Sequence, residues 1–359
     1  MMKKVVILVP SFENKGPIIV AKNIADCMKK DIKCIFISLK KNTNIDLKSF
    51  SNFEYYELNL SKIPIFSLKL KRIIENLKPD IIHCHCFWPT VLAGIYLKKF
   101  KVISTLHNNP LEDFYYEYGK ILSIFMIRIM IFFQKQFYLN VSISNYIKGI
   151  HEELGLGNVF TIYNGISELN FSKNIKNEIK DKKLKLITIS VLNKIKNVSF
   201  LLEVIKKLKD ENIKIELKIV GDGNEKNNLK NYVQKNNLQN EVIFLGRLSR
   251  EKVYEELKQA DIFLFSSLNE GFGLVIAEAL WCNTPVVVSN IPVMREVVIN
   301  NKNGIICNLN VQEYVNAILE INKNLDFFKN NTKKYFNKDF LAENMSENYR
   351  KIYVKIMRE

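Results

Sequence analysis

The chain has 359 residues, 47% hydrophobic and 25% charged, a composition typical of globular proteins and long enough for two domains. Its formal net charge of +16 suits an anionic partner: a nucleic acid, a membrane surface or a small molecule. Because the lysines are spread along the chain and no nucleic-acid-binding motif is present, we expect no nucleic-acid partner. The diffuse positive charge favours peripheral contact with an anionic membrane, although a lysine-rich proteome would explain it equally well.

The start of the chain has the basic and then apolar order of a signal peptide, in residues 1–4 and 5–9. The apolar run is short, ends at Pro10 and lacks a small-residue cleavage site, so we interpret it as a buried strand. The longest apolar stretch, 121–133, is interrupted by Arg128 and is shorter than the ~20 residues that span a membrane. We therefore expect a cytoplasmic protein, in which 121–133 either docks on the inner face of the membrane or is buried in the N-terminal domain.

Short apolar runs alternate with segments long enough for helices. In the first half, the predicted strands lie at 4–9, 33–39, 80–84, 101–106 and 138–143. In the second half they lie at 184–190, 213–220, 241–245, 261–266, 285–289 and 304–307. Strands that are apolar on both faces belong in parallel sheets covered by helices, so the pattern predicts an α/β protein with two domains in series.

A polar segment rich in lysine and asparagine, 167–183, predicts the boundary between these domains. We expect the N-terminal domain to comprise residues 1–166 together with a C-terminal helix at about 340–359, and the C-terminal domain to comprise residues 184–339. The stretch at about 340–359 has apolar residues at helical spacing and predicts a final helix.

The segment His83-Cys84-His85-Cys86 has the residue types of a metal site. It lies in a predicted strand, where successive side chains point to opposite faces of the sheet. The two histidines and the two cysteines should therefore face opposite ways, and four ligands cannot converge from this segment alone. The six cysteines include no Cys-x-x-Cys pair, so we expect free thiols in a reducing compartment.

In open parallel sheets, ligands bind beyond the carboxyl ends of the strands. Glycine and polar residues follow the predicted strands at these ends: Ser11, Gly16, His85, His107, Gly221-Asp222-Gly223, Gly246-Arg247 and Glu270. Their positions predict a ligand in a crevice formed by the two domains.

The predicted helix at 274–282 is apolar on all sides and should be buried, yet it contains Glu278. A buried carboxylate without a partner is costly, so some group must satisfy it. The two hydroxyls of a ribose are one such partner, and the start of the helix, with Gly271 and Gly273, suits a diphosphate. Alternatively, Glu278 is paired with a lysine or a backbone group of the protein.

The same residues resemble a known signature. The spacing of Glu270 and Glu278 in Glu-Gly-Phe-Gly-Leu-Val-Ile-Ala-Glu-Ala is similar to that in the retaining glycosyltransferases of family four. Further segments resemble the family in its own order: Val141-Ser142-Ile143-Ser144, Thr161-Ile162-Tyr163-Asn164-Gly165, Ile219-Val220-Gly221-Asp222-Gly223, Phe244-Leu245-Gly246-Arg247, Ala260-Asp261 and Thr284-Pro285-Val286-Val287-Val288.

The resemblance implies a GT-B fold, with two Rossmann-like domains facing across a cleft and a C-terminal helix that crosses back. It implies that Glu270 and His107 are catalytic residues at the donor sugar and that Glu278 binds the donor ribose. The remaining donor-binding residues that it implies are Gly16, Lys196, Arg247, Leu248, Phe272, Gly273 and Leu274. His107 follows a strand, where it could also be an ordinary capped loop residue.

The chain departs from the family pattern at the site expected for the diphosphate. The family's arginine is replaced by Val191, which leaves Lys196 as the matching cation. The first loop has Lys15-Gly16 instead of a glycine pair, and Asn283 replaces a further glycine. These changes bear on the strength of diphosphate binding rather than on the fold.

The expected activity is retaining transfer of a hexosyl or N-acetylhexosaminyl group from a nucleotide-sugar donor, most often UDP-linked in this family. The expected acceptor is a hydroxyl of a glycan or lipid-linked saccharide in surface polysaccharide or glycoconjugate synthesis. Because no Asp-x-Asp motif is present, we expect a metal-independent reaction without a cofactor. The alternatives are a weak or inactive sugar-nucleotide-binding protein and a nucleotide-sugar epimerase of the same fold.

Overall fold

A computed structural model of the protein describes residues 2–13, 15–28, 31–43, 47–60, 68–167 and 183–359. The chain divides into two compact units, of which the first comprises Met1–Ser167 with Lys338–Glu359 and the second comprises Glu168–Asn337. Of the predicted boundary at 167–183, all but its two end residues lie outside the described part of the chain.

The first unit contains a parallel sheet. The strands are β1 (Lys3–Val9), β2 (Ile32–Ser38), β3 (Glu54–Glu57), β4 (Ile81–His85), β5 (Val102–Leu106), β6 (Leu139–Ser142) and β7 (Val159–Thr161). Their order is β3-β2-β1-β4-β5-β6-β7. The inner strand β1 is fully apolar from Val5 to Val9 and fully buried there, as expected for a strand covered on both faces. The two edge strands, β3 and β7, were not predicted, because the first is polar at both ends and the second has three residues.

In the described residues of the first unit, six helices lie between successive strands. They are α1 (Gly16–Asp26), α2 (Leu68–Leu77), α3 (Phe87–Tyr96), α4 (Pro110–Tyr118), α5 (Lys120–Gln134) and α6 (Asn145–Glu153). Two of them begin at side-chain caps that satisfy free backbone N–H groups. Asn109 Oδ1 accepts a hydrogen bond from Leu111 N at 3.1 Å, and Ser144 Oγ accepts one from Ile147 N at 3.2 Å.

The second unit contains another parallel sheet. Its strands are β8 (Leu184–Ile189), β9 (Ile215–Val220), β10 (Val242–Gly246), β11 (Ile262–Phe265), β12 (Val286–Ser289) and β13 (Gly304–Cys307). Their order is β10-β9-β8-β11-β12-β13, and each was predicted to within two residues. Its helices are α7 (Val198–Asp210), α8 (Lys226–Lys235), α9 (Arg250–Gln259), α10 (Leu274–Trp281), α11 (Met294–Val297), α12 (Val311–Lys323) and α13 (Leu325–Lys334).

The last helix, α14 (Ala342–Arg358), belongs to the first unit. Ser346 Oγ donates a hydrogen bond to the Ile24 carbonyl of α1 at 2.8 Å, and Tyr349 and Tyr353 are buried beneath it. No helix in the described ranges is both long and apolar enough to cross a membrane.

The strand order reverses once in each sheet, between β1 and β4 and between β8 and β11. Such reversals open a crevice at the carboxyl ends of the strands, which is where α/β proteins bind ligands. The fold confirms the prediction of two Rossmann-like parallel sheets. In the second sheet, the loops that follow β8 and β11 border the crevice where a ligand is expected.

Candidate functional site

The loops after β8 and β11 are bonded to each other. Ser266 Oγ donates to the carbonyl oxygens of Lys196 at 3.1 Å and Asn197 at 2.9 Å. The Leu268 N–H donates to the Ile195 carbonyl at 2.8 Å. These bonds hold the two loops in a fixed relation at the strand reversal. The serine that links them was not identified from the sequence, since the partners lie about 70 residues apart.

Lys196 and Glu270 meet at this point and form an ion pair between Nζ and Oε1. Their side chains are 22% and 16% exposed, so the pair is less screened than one on the open surface. Within the described residues, the second oxygen of Glu270 has no hydrogen bond. The structure thus brings together two of the predicted site residues, with a carboxylate oxygen and ammonium hydrogens still available to a ligand.

The start of α10 lies at the end of the loop that carries Glu270. Gly273 precedes the helix with φ of 87°, and Phe272 is 1% exposed. The left-handed backbone at Gly273 favours glycine, and a Cβ there would lie 2.9 Å from Ile276 Cδ1. The N–H groups of Leu274 and Val275 are in the first turn, where a helix offers hydrogen-bond donors and the positive end of its dipole. The predicted buried helix is confirmed.

Glu278 on α10 has a partner that the sequence analysis missed. Arg250 Nη2 donates to Glu278 Oε1 at 3.0 Å, and the Tyr254 hydroxyl lies 3.4 Å from the same oxygen. Burial raises the pKa of Glu278, and Arg250 opposes that shift. Glu278 is therefore paired within the protein, as the alternative interpretation expected. The partner is an arginine and not the expected lysine or backbone group. Arg250 and Tyr254 are one helical turn apart on α9, a spacing that places them on one face.

The internal pairing leaves part of the Glu278 carboxylate available. Both contacts use Oε1, and Oε2 has no hydrogen bond among the described residues. The side chain is 14% exposed, so a ligand could still reach it. Arg250 can therefore orient the carboxylate while the second oxygen accepts hydrogen bonds from outside.

The remaining candidates of the second unit lie at the end of β10. Arg247 is exposed and Leu248 is partly buried. The Gly221 N–H donates to the Gly246 carbonyl at 2.8 Å, which joins the ends of β9 and β10. Val191, which replaces the family's arginine, is 58% exposed after β8. An arginine at this position would have room to extend into solvent.

The first unit contains a chain of histidines at the ends of β4 and β5. His85 Nδ1 and His107 Nε2 are 2.8 Å apart. The rings of His83 and His85 have centroids 4.2 Å apart, which confirms that both side chains face the same way. His83 is bonded to the Tyr353 hydroxyl and to Thr105 Oγ1, each at 2.7 Å. The first-loop candidate, Gly16, is exposed at the start of α1.

Burial keeps these imidazoles neutral in the folded protein. It lowers the pKa of His83 and of His107 to about 3, and that of His85 well below its ordinary value. Burial also lowers the pKa of His151, on α6, to about 4. Neutral histidines can act as hydrogen-bonding groups, and each hydrogen bond between two imidazoles requires one ring to donate and the other to accept.

Mild acid should therefore destabilise the first unit, which contains all four histidines of the chain. The unfolded chain binds protons below a pKa of about 6.5, whereas the folded histidines do not, so the stabilising contribution is complete above that pH and is lost as the pH falls toward the folded values. Each histidine contributes a slope of about 1.4 kcal/mol per pH unit in this window. Urea unfolding followed by Trp88 fluorescence measures the slope, and His151→Gln should reduce it by one histidine's share. A free energy of unfolding that does not change with pH here would contradict buried neutral histidines.

Within the described ranges, no group of three or more His, Cys, Asp or Glu side chains is placed to hold a metal ion. Metal independence of the reaction stays a prediction.

Two family models match the chain. The model described as glycosyl transferases group 1 matches residues 171–337, and the model described as glycosyltransferase family 4 matches residues 33–168. The O-antigen biosynthesis glycosyltransferase WclY of Escherichia coli is 28% identical over 374 residues, with 99% of each chain covered. The N-acetyl-α-D-glucosaminyl L-malate synthase of Bacillus anthracis is 23% identical over 339 residues, with 87% of this chain and 86% of that protein covered.

Solved structures show the same fold. Anabaena HepE in complex with UDP-glucose superposes with a TM-score of 0.82 at 17% identity, covering 98% of this chain and 99% of that one. This likeness defines the class as GT-B. With two family models that together reach from residue 33 to residue 337, the chain belongs to the group 1 glycosyltransferases of family four and is a glycosyltransferase.

Proposed function

We propose that this protein is a retaining, metal-independent glycosyltransferase that moves a hexosyl or N-acetylhexosaminyl group from a UDP-sugar to a hydroxyl of a glycan or lipid-linked saccharide. The observation that carries the proposal is the Lys196–Glu270 ion pair at the strand reversal, on the loop that leads into the start of α10. Two similar proteins support the choice of substrates. WclY is named for O-antigen biosynthesis, which supports a glycan acceptor, and HepE was crystallised with UDP-glucose, which supports a UDP-sugar donor. Surface polysaccharide synthesis is the process that we assign to the chain.

The site residues divide the work of donor binding. Glu278 Oε2 accepts hydrogen bonds from the ribose, while Arg250 holds Oε1. Lys196 and the N–H groups of Leu274 and Val275 stabilise the negative charge that develops on the departing diphosphate. When Lys196 turns to the diphosphate, its former partner Glu270 is released to bind hydroxyls of the sugar.

The sugar acquires oxocarbenium character as the diphosphate leaves, and the acceptor hydroxyl attacks from the same face, so the anomeric configuration is kept. In our proposal His107 contacts the donor sugar as a neutral hydrogen-bonding group. Its partly buried ring, with a pKa that desolvation lowers to about 3, is uncharged at physiological pH. His85 Nδ1 lies 2.8 Å from His107 Nε2, and a hydrogen bond between them couples the tautomer of His107 to that of His85.

Donor binding should raise the thermal stability of the protein. At a UDP concentration of 100 times Kd, binding to the folded state adds about 2.7 kcal/mol, which corresponds to a rise in Tm of roughly 5–10 °C for a domain of this size. Glu278→Gln should lose most of the UDP-induced rise, measured against its own ligand-free Tm. Glu256→Gln is the matched control, because Glu256 pairs with Lys218 at 2.6 Å on the same helix as Arg250. Equal rises in both variants would contradict the ribose assignment.

The reaction itself is tested with a panel of nucleotide sugars in the presence of a chelator, with the anomeric configuration of the product read by NMR. The exposed Val191 favours one alternative, a weak or inactive sugar-nucleotide-binding protein, since the family's arginine is absent there. A UDP-dependent rise in Tm without transfer or donor hydrolysis would support that alternative. Product of inverted configuration would contradict the retaining mechanism.

A further inference from the structure

The surface formed by α4 and α5, here called the α4–α5 face, is unusually apolar for a surface in contact with water. Of the 21 exposed large hydrophobic side chains in the described residues, nine lie between residues 111 and 132. Ile121 is 88% exposed, Phe125 61% and Phe132 60%. Exposed apolar side chains concentrated on two helices that pack on each other mark an interaction site rather than the scattered apolar residues of an ordinary surface.

Helix α5 is apolar on both its buried and its exposed faces. Its buried face contains Met126, Ile127, Met130 and Ile131 beside the polar Ser123 and Gln134. Its exposed face carries Ile121, Phe125 and Phe132, which are separated by four and seven residues and so form one stripe along the helix. The apolar stripe faces away from the first unit and is available to a partner.

The charges on the same helix indicate the chemistry of that partner. Lys120 and Arg128 on α5 and Lys135 directly after it are exposed, and the sequence of α5 contains no Asp or Glu. Apolar residues flanked by cations match a surface with a negative outer layer above an apolar interior, as an anionic lipid membrane has. The acidic residues of this region, Glu112, Asp113 and Glu117, all lie on α4.

The same charges disfavour a second copy of this chain as the occupant. In a two-fold interface, residue i of one copy contacts residue j of the other and j contacts i, and only residues at the axis meet their own counterparts. Antiparallel pairing of two α5 helices would place Lys120 beside Lys135 and the two Arg128 side chains beside each other, with no acidic residue on either helix to neutralise them. The net charge of +16 adds to this repulsion.

We propose that the α4–α5 face docks the protein on an anionic lipid surface. The stripe of Ile121, Phe125 and Phe132 enters the boundary between headgroups and acyl chains, while Lys120 and Arg128 meet lipid phosphates. The exposed tyrosines of α4, with Tyr116 58% exposed, have the amphipathic character of residues at membrane interfaces. The inference goes beyond the proposed function, since docking requires neither the sugar donor nor the acceptor.

Flotation of the purified full chain with lipid vesicles tests the proposal. We expect binding to vesicles of phosphatidylcholine with phosphatidylglycerol, and much weaker binding to phosphatidylcholine alone. The combined variant Ile121→Ser, Phe125→Ser, Phe132→Ser should lose binding to both. Phe160→Ser and Phe327→Ser are matched controls, because these side chains are 52% and 50% exposed elsewhere and should leave binding unchanged.

The cations are tested separately. Lys120→Gln and Arg128→Gln should each lower partition onto anionic vesicles about fivefold, the factor that corresponds to ~1 kcal/mol per basic residue near a charged membrane. Neither change should alter the weak partition onto phosphatidylcholine. An equal loss on both lipids would overturn the electrostatic part of the proposal.

Two results would overturn the docking surface itself. One is wild-type vesicle binding by the triple-serine variant. The other is a wild-type dimer in analytical ultracentrifugation that the same variant converts to a monomer, with no vesicle binding in either protein. The ligand-free Tm of every variant shows that each is folded. The UDP-induced rise, measured separately, keeps failure of docking distinct from failure of the proposed function.

Discussion

Replacing Lys196 with alanine should reduce transfer from the donor by about 10²–10³-fold, the loss seen when one preorganised donor to a developing negative charge is removed. The physical reason is that Lys196, in the loop after β8, is the cation that lies next to Glu270 in the loop after β11. Val191 takes the place of the family's arginine, so Lys196 is the one cation of the family pattern present in the loop after β8, where the other lysine is Lys194. The measurement is kcat/KM for the donor, with urea unfolding to show that the variant is folded.

Lys218→Ala is the matched control for this change. Lys218 is 22% exposed, as Lys196 is, and it forms an ion pair with Glu256 at 2.6 Å in the same unit. Its loss should affect stability to a similar extent and leave transfer unchanged. Equal activity losses in the two variants would show that the effect of Lys196→Ala is structural.

Glu270→Ala and His107→Ala should also lose most transfer activity while remaining folded. If Lys196 and Glu270 act as one unit, the double alanine variant should be little worse than the poorer single variant, because effects within a unit are not additive. Turnover near that of the wild type in all three single variants would contradict the site assignment.

Gly221→Ala should destabilise the second unit by about 3 kcal/mol or more. Gly221 has φ of 134°, and a Cβ added there would lie 1.8 Å from the Ser190 carbonyl oxygen. Both the backbone strain and the clash must be relieved by displacing the loop after β8, which carries Lys196. Urea unfolding followed by Trp281 fluorescence, in the same unit, measures the loss.

Gly246→Ala separates the two causes. Gly246 has φ of 68°, but a Cβ there would meet nothing within 4 Å. Its substitution should cost about 1–2 kcal/mol from the left-handed backbone alone. If Gly221→Ala were no more destabilising than Gly246→Ala, the close contact with Ser190 would not matter to stability.

Sequence patterns predicted the sheet of the second unit well because its strands are short apolar runs bounded by polar loops. They failed for β3, where Glu54 and Glu57 lie at the ends of a partly exposed edge strand. They identified Glu278 and its need for a partner, because a single charged residue in an apolar helical segment can be recognised from the sequence alone. They could not identify Arg250, since it lies on a different helix 28 residues away.

The histidines show the same limit. Alternation along β4 was enough to predict that His83 and His85 share a face. The contact of His85 with His107 depends on the pairing of β4 with β5, in which His85 is in register with Thr105. Sheet order was not available from the spacing of apolar residues, so this contact could be known only from the fold.

The position of α14 has a consequence for biosynthesis. Its tyrosines bond to His83 and Thr105 in the first unit, yet the ribosome makes this helix after the whole of the second unit. During translation, the nascent first unit therefore exposes the polar groups and apolar side chains that α14 covers in the finished protein. This exposure lasts until the second unit and α14 have been synthesised. Domains usually fold in the order in which they are made. Here the order is reversed for the final step, since the part synthesised first is the part completed last.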